Sequence, residues 1–492
     1  MTADKTRLDE QQEAPQPEYV EHIARKSVDF AQWYTDVVRK AELADYTPVR
    51  GCMVIRPYGW ALWENIRDAL DGMIKATGHS NMYFPLLIPE SLLMKEAEHV
   101  EGFSPEVAWV TQGGNQKLEE RLAIRPTSET IIGTLYKKWI RSHRDLPVLI
   151  NQWANVMRWE MRTRLFLRTA EFLWQEGHTF HATDAETVAE VDKMLDCYRA
   201  LHEDWLAIPV IKGRKTEAEK FAGAEYTVSI EALMSDGKAL QSGTSHHLGQ
   251  NFTRAYDITY ADRENQRRYP YGTSWGLSTR VIGGLIMCHG DESGLIMPPR
   301  VAPIQVVIVP IYRGDDQRAV VERAVAELKA RLDGIRVHVD DRDEKPGFKY
   351  NDWELRGVPL RVELGPRDIE AGQAVVVDRL ERVKVAVPVD ELPRRLGRML
   401  DDFQVKLFDR AVRMRDSFTV EVAGREELLA AYAGGRQALA RGPWCGEPSC
   451  EAEIKEATHG ATIRVIVDDA ARGACSWCGR PARHNVYWAR AY

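Results

Sequence analysis

In the stretch RWEMRTRLFLRTAEF, Arg158 and Glu160 stand two residues apart, so on an extended strand both side chains face the same way. An arginine-rich link with Arg162 and Arg164 follows, and Arg168 and Phe172 come at a spacing of four on the returning segment. An arginine beside a carboxylate, opposite an aromatic plate, suits a purine nucleotide. A guanidinium forks onto phosphate oxygens, a glutamate accepts from an exocyclic amine, and a phenyl ring stacks on the base. The same residues also describe a salt-bridged surface hairpin, and the stretch alone does not separate the two readings.

A second set of chemistry-bearing residues closes the chain. Cys445-x4-Cys450 is followed, 24 residues on, by Cys475-x2-Cys478. Two short cysteine pairs joined by a longer loop can surround a zinc ion. Four protein ligands leave no open position, so the zinc expected there is structural. The first residues, MTADKTRLDEQQEAPQPEYV, are polar and lack the apolar core of a secretory signal, which argues against disulfides.

The elements that must position these residues exceed one core. A chain of 492 residues suggests about three domains. With 44% hydrophobic and 28% charged residues it reads as a folded soluble protein, and no apolar run approaches the roughly 20 residues that span a bilayer. A net charge of −7 means that any nucleic-acid contact must use local basic patches, such as the helical run Arg394–Arg415. Residues 1–18 read as a flexible tail and 19–44 as an amphipathic helix. A helix over 56–78 precedes NMYFPLLIPE, a strand broken by Pro85. Ser128 is placed to cap a helix running to about His143. PVLINQWANVMRWE and EFLWQEGHTFHA then form a strand hairpin. A helix over 184–206, a glycine-kinked strand over 238–252 and a small-residue helix over 277–291 complete an α+β domain, residues 19–302, with an antiparallel sheet. From 303 to 408, apolar strands alternate with helices as in a three-layer α/β domain. Residues 409–492 form a small α+β domain around the cysteines.

Taken together these motifs resemble a class II aminoacyl-tRNA synthetase. The helix before NMYFPLLIP, with Pro85, matches the first class motif. Met157 to Phe172 matches the second, and Arg280 in GLSTRVIGG the third. IRPTSET, QSGTSHHLGQNF, SWGLSTR and PGFKYNDWELRGVPLRVELGPRD further resemble prolyl-tRNA synthetases of the archaeal/eukaryotic type, over nearly the whole chain from about residue 20. Activation of an amino acid by ATP needs alignment and charge neutralisation rather than a protein nucleophile. The resemblance implies that Arg158 bridges the proline carboxylate and the α-phosphate, Glu160 reads the adenine amine, Phe172 stacks on the ring and Arg280 holds the γ-phosphate. Gln241, Thr244, Ser278 and the Thr169 region are implied to line the nucleotide. Thr127 and Glu129 are implied to accept from the secondary ammonium of proline, with His246 nearby and Trp275 as a wall for the ring.

It also implies Mg2+ with ATP, zinc on the four cysteines, tRNA(Pro) as partner, a cytoplasmic homodimer contacting through the Pro85 region, and Tyr492 tucked toward the site. Lys349, Arg356 and Arg361 are candidates for the anticodon guanines, against ordinary surface charge. Phe172 and Arg280 are only 108 positions apart, too few for an inserted editing domain. The expected function is proline–tRNA ligation. The alternatives are a threonyl- or histidyl-type synthetase and a non-catalytic tRNA-binding relative.

Overall fold

The computed structural model describes residues 23–99, 106–160, 162–469 and 471–492. The expected tail, 1–18, lies outside them. An eleven-stranded sheet organises the first and last parts of the chain. Its middle is antiparallel, in the spatial order Val210–Arg214, Tyr226–Leu233, Ala239–Gly249, Tyr271–Ser278, Glu171–His181 and Val148–Met157. The expected hairpin pairs Val148 with Phe180 through to Met157 with Glu171.

One face of this sheet is covered by the helix Asp184–Ala200, which Thr183 and Glu186 open with a capping box. Tyr198 packs there with Trp33, Tyr34, Leu62, Ile66 and Ile282 in a fully buried core. The small-residue helix is Arg280–His289. Gly283 is needed on it, because a Cβ there would come within 2.4 Å of the Leu167 side chain.

Several local expectations change. The N-terminal helix spans only Phe30–Lys40, capped by Asp29, and the helix after Ser128 ends at Trp139. Ser128 stands at the N-cap position without a capping bond, because its hydroxyl donates to Glu176 instead. NMYFPLLIPE contributes two short strands, Ser80–Asn81 and Leu87–Pro89, with the exposed Pro85 between them.

The α/β unit has strand order Val337–Val339, Val306–Pro310, Leu360–Leu364, Gln373–Asp378 and Lys384–Pro388. The first three strands run parallel and the last two antiparallel. The expected boundary at 408 falls inside a single helix, Leu392–Phe418. Its apolar stripe is continuous: Leu392, Leu396 and Leu400 join the α/β core, Phe403 and Leu407 pack on Ala207 and Ile296, and Ala411 reaches the core beneath the main sheet.

The cysteine-bearing segment does not stand apart either. Its strands Thr419–Glu421, Leu439–Trp444, Thr462–Asp468 and His484–Ala489 extend the main sheet through the pairing of Ile466 with Arg214. Gly213 permits that approach, since a Cβ would sit 2.5 Å from the Ile466 carbonyl oxygen.

Candidate active site

The face of the sheet opposite the helix Asp184–Ala200 holds a cleft of about 320 Å3. Strand alternation builds it: Phe172, Trp174, Glu176 and His178 point into it from one strand, and Ser274, Gly276 and Ser278 from the next. Gln241, Thr244 and His246 come from the third strand. There the register slips by one residue at Ser242, and this bulge brings Gln241 onto the face of Thr244.

Arg158 enters from the end of the hairpin. Its backbone N–H donates to Ala170 O at 2.8 Å, and its guanidinium Nε to Pro126 O at 3.0 Å. The guanidinium carbon lies 5.2 Å from the Trp174 ring centroid and 5.6 Å from that of Phe172. Arg280 opens its helix with Nε on Leu167 O at 3.1 Å. Arg158 and Arg280 are reachable from the cleft yet surrounded by protein. Burial therefore leads in lowering both pKa values, and the charges of Arg168 and Arg158 lower that of Arg280 further. A bound anion would relieve that repulsion.

At the other end Thr127 donates to Glu129, which leaves the threonine lone pairs for an N–H donor. Ser128 and Gln152 donate to Glu176, with Gln152 Nε2 at 2.7 Å, and His178 Nε2 sits 3.1 Å from the same carboxylate. Burial opposes both charges of the Glu176–His178 pair. The hydrogen bonds that Glu176 receives still hold it below the usual carboxylate range, and Glu176 with Glu129 raises His178. His246 is the reverse case. Burial, then His178 and Arg158, push it down to about 3, so it is neutral at physiological pH, with Nδ1 2.9 Å from Thr227 Oγ1.

These shifts set a pH dependence. The contribution of His178 to stability is fully present below its ordinary value of 6.5 and fades as pH rises through its raised folded value. That of Glu176 is present above 4.5 and is lost as pH falls through its lowered folded value. Glu176→Gln should therefore lower the thermal midpoint most between about pH 4.5 and 6.5 and least well above that range; a pH-independent difference would refute the pairing.

Thr127, Glu129, Arg158, Phe172, Gln241, Thr244, His246, Ser278 and Arg280 thus all meet in one cleft. Glu160, Thr169 and Trp275 stand differently from these residues. The strand ends at Met157, so Glu160 does not share a face with Arg158; it lies outside the cleft lining, 3.6 Å from Arg168 and bonded to Arg162 N. Thr169 is buried beside the cleft, and its hydroxyl has no hydrogen-bond partner among the described residues.

Trp275 borders the cleft, but its position alternates with Ser274 and Gly276, which turns the ring into the core. It is 1% exposed and edge-on to His79 and Tyr198. Gly177 makes room for it, since a Cβ there would lie 2.1 Å from the indole. Gly177→Ala should cost about 1–3 kcal/mol in a denaturant titration, as overpacking does, and an unchanged midpoint would refute this packing. The apolar walls are Phe172, Trp174 and Phe221 instead. Glu176, His178 and Phe221 were not anticipated. The first two were readable by counting in twos from Phe172, whereas Phe221 carries no sequence signal.

The three anticodon candidates are held internally. Lys349 is 3% exposed and donates to Asp340 O, Arg356 pairs with Glu42 and Asp352, and Arg361 is clamped between Glu363 and the Tyr350 ring. Spacing gave no measure of burial, which takes Lys349 and Arg361 off the surface, while Arg356 stays partly exposed. At the far end of the chain, Cys445 Sγ lies 3.7 Å from Cys450 Sγ and 3.8 Å from Cys478 Sγ, and the sulfurs of all four cysteines fall within 4.8 Å of one another. A tetrahedral zinc with sulfur at about 2.3 Å requires sulfurs about 3.8 Å apart, so the set fits the ion.

Comparison with known proteins gives three family matches: tRNA synthetase class II core domain (G, H, P, S and T) over residues 109–289, anticodon binding domain over 305–399, and prolyl-tRNA synthetase, C-terminal, over 426–492. The proline–tRNA ligase of Alkaliphilus oremlandii (strain OhILAs) is 54% identical over 479 residues, which cover 96% of this chain and 99% of that protein. Proline–tRNA ligase 2 of Clostridioides difficile (strain 630) is 54% identical over 485 residues, with the same coverage. Among solved structures, the prolyl-tRNA synthetase from Cryptosporidium parvum complexed with halofuginone and AMPPNP superposes with a TM-score of 0.90 at 41% identity, covering 95% of this chain and 99% of that one.

Proposed function

The chain belongs to the class II prolyl-tRNA synthetase family, and from that premise we propose how its cleft divides the work of proline–tRNA ligation. Thr127 and Glu129 take the ammonium of proline between them, while Trp174 and Phe221 wall its ring. Arg158 joins the proline carboxylate to the α-phosphate of ATP and neutralises charge as the carboxylate attacks in line. Phe172 stacks on adenine. Gln241, Thr244 and Ser278 line the nucleotide beside Thr169, and Arg280 holds the γ-phosphate; Mg2+ arrives with ATP. His246, neutral, borders the proline end without supplying a charge. One observation carries this reading: Arg158 stands between a carboxylate–hydroxyl pair and a second arginine within a single cleft. ATP–pyrophosphate exchange should depend on proline and not on threonine or histidine; equal stimulation by threonine would overturn the assignment of the pocket.

The archaeal/eukaryotic-type reading rests on the motifs QSGTSHHLGQNF and PGFKYNDWELRGVPLRVELGPRD. The 107 residues between Phe172 and Arg280 are taken up by strands of the main sheet, the helices Asp184–Ala200 and Asn251–Ala255, and a separate short strand pair, Tyr260–Ala261 with Arg267–Arg268. Mischarged alanyl-tRNA is then left to another protein, and deacylation of alanyl-tRNA by the purified chain would refute this.

Zinc on Cys445, Cys450, Cys475 and Cys478 would brace the C-terminal segment without chemistry of its own. A homodimer is supported by the exposed Tyr83, Pro85 and Leu87 beside the first class motif. Tyr492 reaches back to Asp236 and packs against the buried core. Among the described residues no helix is long and apolar enough to cross a membrane.

A further inference from the structure

The wall residue Phe221 sits on the segment between the strands Val210–Arg214 and Tyr226–Leu233, together with Glu219 and Lys220, which also line the cleft. Much of this segment is only half-buried, but its root, Lys215 and Thr216, is 3% exposed at each position. The root is where the C-terminal segment takes hold.

Thr216 Oγ1 donates to Glu451 Oε1 at 2.9 Å. Glu451 lies on the helix Pro448–Ala457, next to Cys450. The carbonyl of the same Thr216 accepts from Glu219 N at 3.1 Å and Lys220 N at 3.0 Å, so two cleft residues hang directly from it. Beside it Lys215 Nζ donates to Glu231 Oε1 at 2.7 Å and to Arg464 O at 2.9 Å, and Arg464 returns to Glu231 at 3.1 Å. All three side chains are nearly or wholly inaccessible to water. Glu231 pairs across the sheet with Gln241, so this ionic cluster borders the cleft. At its far end the segment is tied through Phe221 N to Thr227 Oγ1 at 2.9 Å, and that hydroxyl also meets His246. The Phe221 ring stands 4.7 Å from the His246 ring.

We propose that the C-terminal segment sets the proline end of the cleft through this buried brace, with Thr216 and Glu451 as positioning residues for proline binding. The inference rests on the reading of Phe221 as a wall of the proline site. Breaking the bond leaves a buried polar group unpaired at the point from which Glu219 and Lys220 hang. The loss should appear in proline binding rather than in the chemical step.

The test is proline-dependent ATP–pyrophosphate exchange on the full-length, metal-loaded chain. Thr216→Val and Glu451→Met, which removes the acceptor, should each raise the KM for proline about tenfold, with kcat and the KM for ATP changed less than about twofold. Thr216→Ser should restore the wild-type KM. The double variant should be no worse than the worse single, because both cut the same bond. Hydrogen–deuterium exchange should quicken over residues 216–225 while zinc content stays constant. An unchanged proline KM in both single variants, additive effects, or an equal rise in the KM for ATP would overturn the brace. If Thr216→Val is insoluble, Glu451→Met, which keeps the length of the side chain without its acceptor, decides alone. Failure here leaves Arg158 and its assignment standing, since that is measured by a different variant.

Discussion

Arg158→Ala should lower proline-dependent exchange of pyrophosphate into ATP by about a thousandfold, the scale on which removal of one preorganised charge-stabilising donor acts. The fold should survive. Arg158 makes its side-chain bond to the Pro126 carbonyl from Nε and otherwise faces the cleft, against Trp174 and Phe172. Its removal also relieves Arg280, whose charge it disfavours. The thermal midpoint should therefore move by no more than a few degrees. Arg158→Lys should recover only part of the activity. An ammonium keeps the charge but cannot fork between a carboxylate and a phosphate oxygen. Exchange within tenfold of wild type in Arg158→Ala would remove this residue from the reaction.

If the four cysteines hold zinc as proposed, Cys475→Ser is expected to lose it and loosen the C-terminal segment, because metal bound there would contribute folding free energy. The sulfurs already stand at the separations a tetrahedral ion requires. Arg480, 3.2 Å from Cys478, pulls that thiol down to about 6, so one ligand is a thiolate at neutral pH. Burial pushes Cys450 up to about 12, so its proton must leave when metal binds. The segment keeps an apolar core of its own, with Trp444, Ile454, Val486 and Trp488 fully or almost fully buried, so it should not unfold outright. A loss of about 5–10 °C in thermal midpoint, with zinc absent by elemental analysis, is the expected result. Unchanged metal content would refute the four-cysteine site.

The opening hairpin shows how far sequence alone carried. The two readings of RWEMRTRLFLRTAEF, nucleotide site and surface salt bridge, are both present, shared between different residues. Arg158 and Phe172 face the cleft, whereas Glu160 and Arg168 pair outside it. A period of two cannot reveal where a strand stops, and this one stops at Met157. The same limit misplaced the ring of Trp275, a residue of the right type whose parity with Ser274 turns it inward. It also left Lys349 and Arg361 on a surface they do not occupy.

By itself the sequence determined the order of elements and the spacing of four zinc-ready cysteines, and its resemblance to a known family the meeting of Thr127, Glu129, Arg158, His246 and Arg280 in one cleft. Each of these rests on local periodicity or on motifs whose residues lie close together in the chain. Only the tertiary structure decided that the cysteine-bearing segment continues the catalytic sheet through Ile466 and Arg214. Only there does Glu451 meet Thr216, and Arg464 meet Glu231, each pair more than two hundred residues apart. Contacts of that range follow from which faces remain to be buried once the local elements have formed, and no local spacing encodes them.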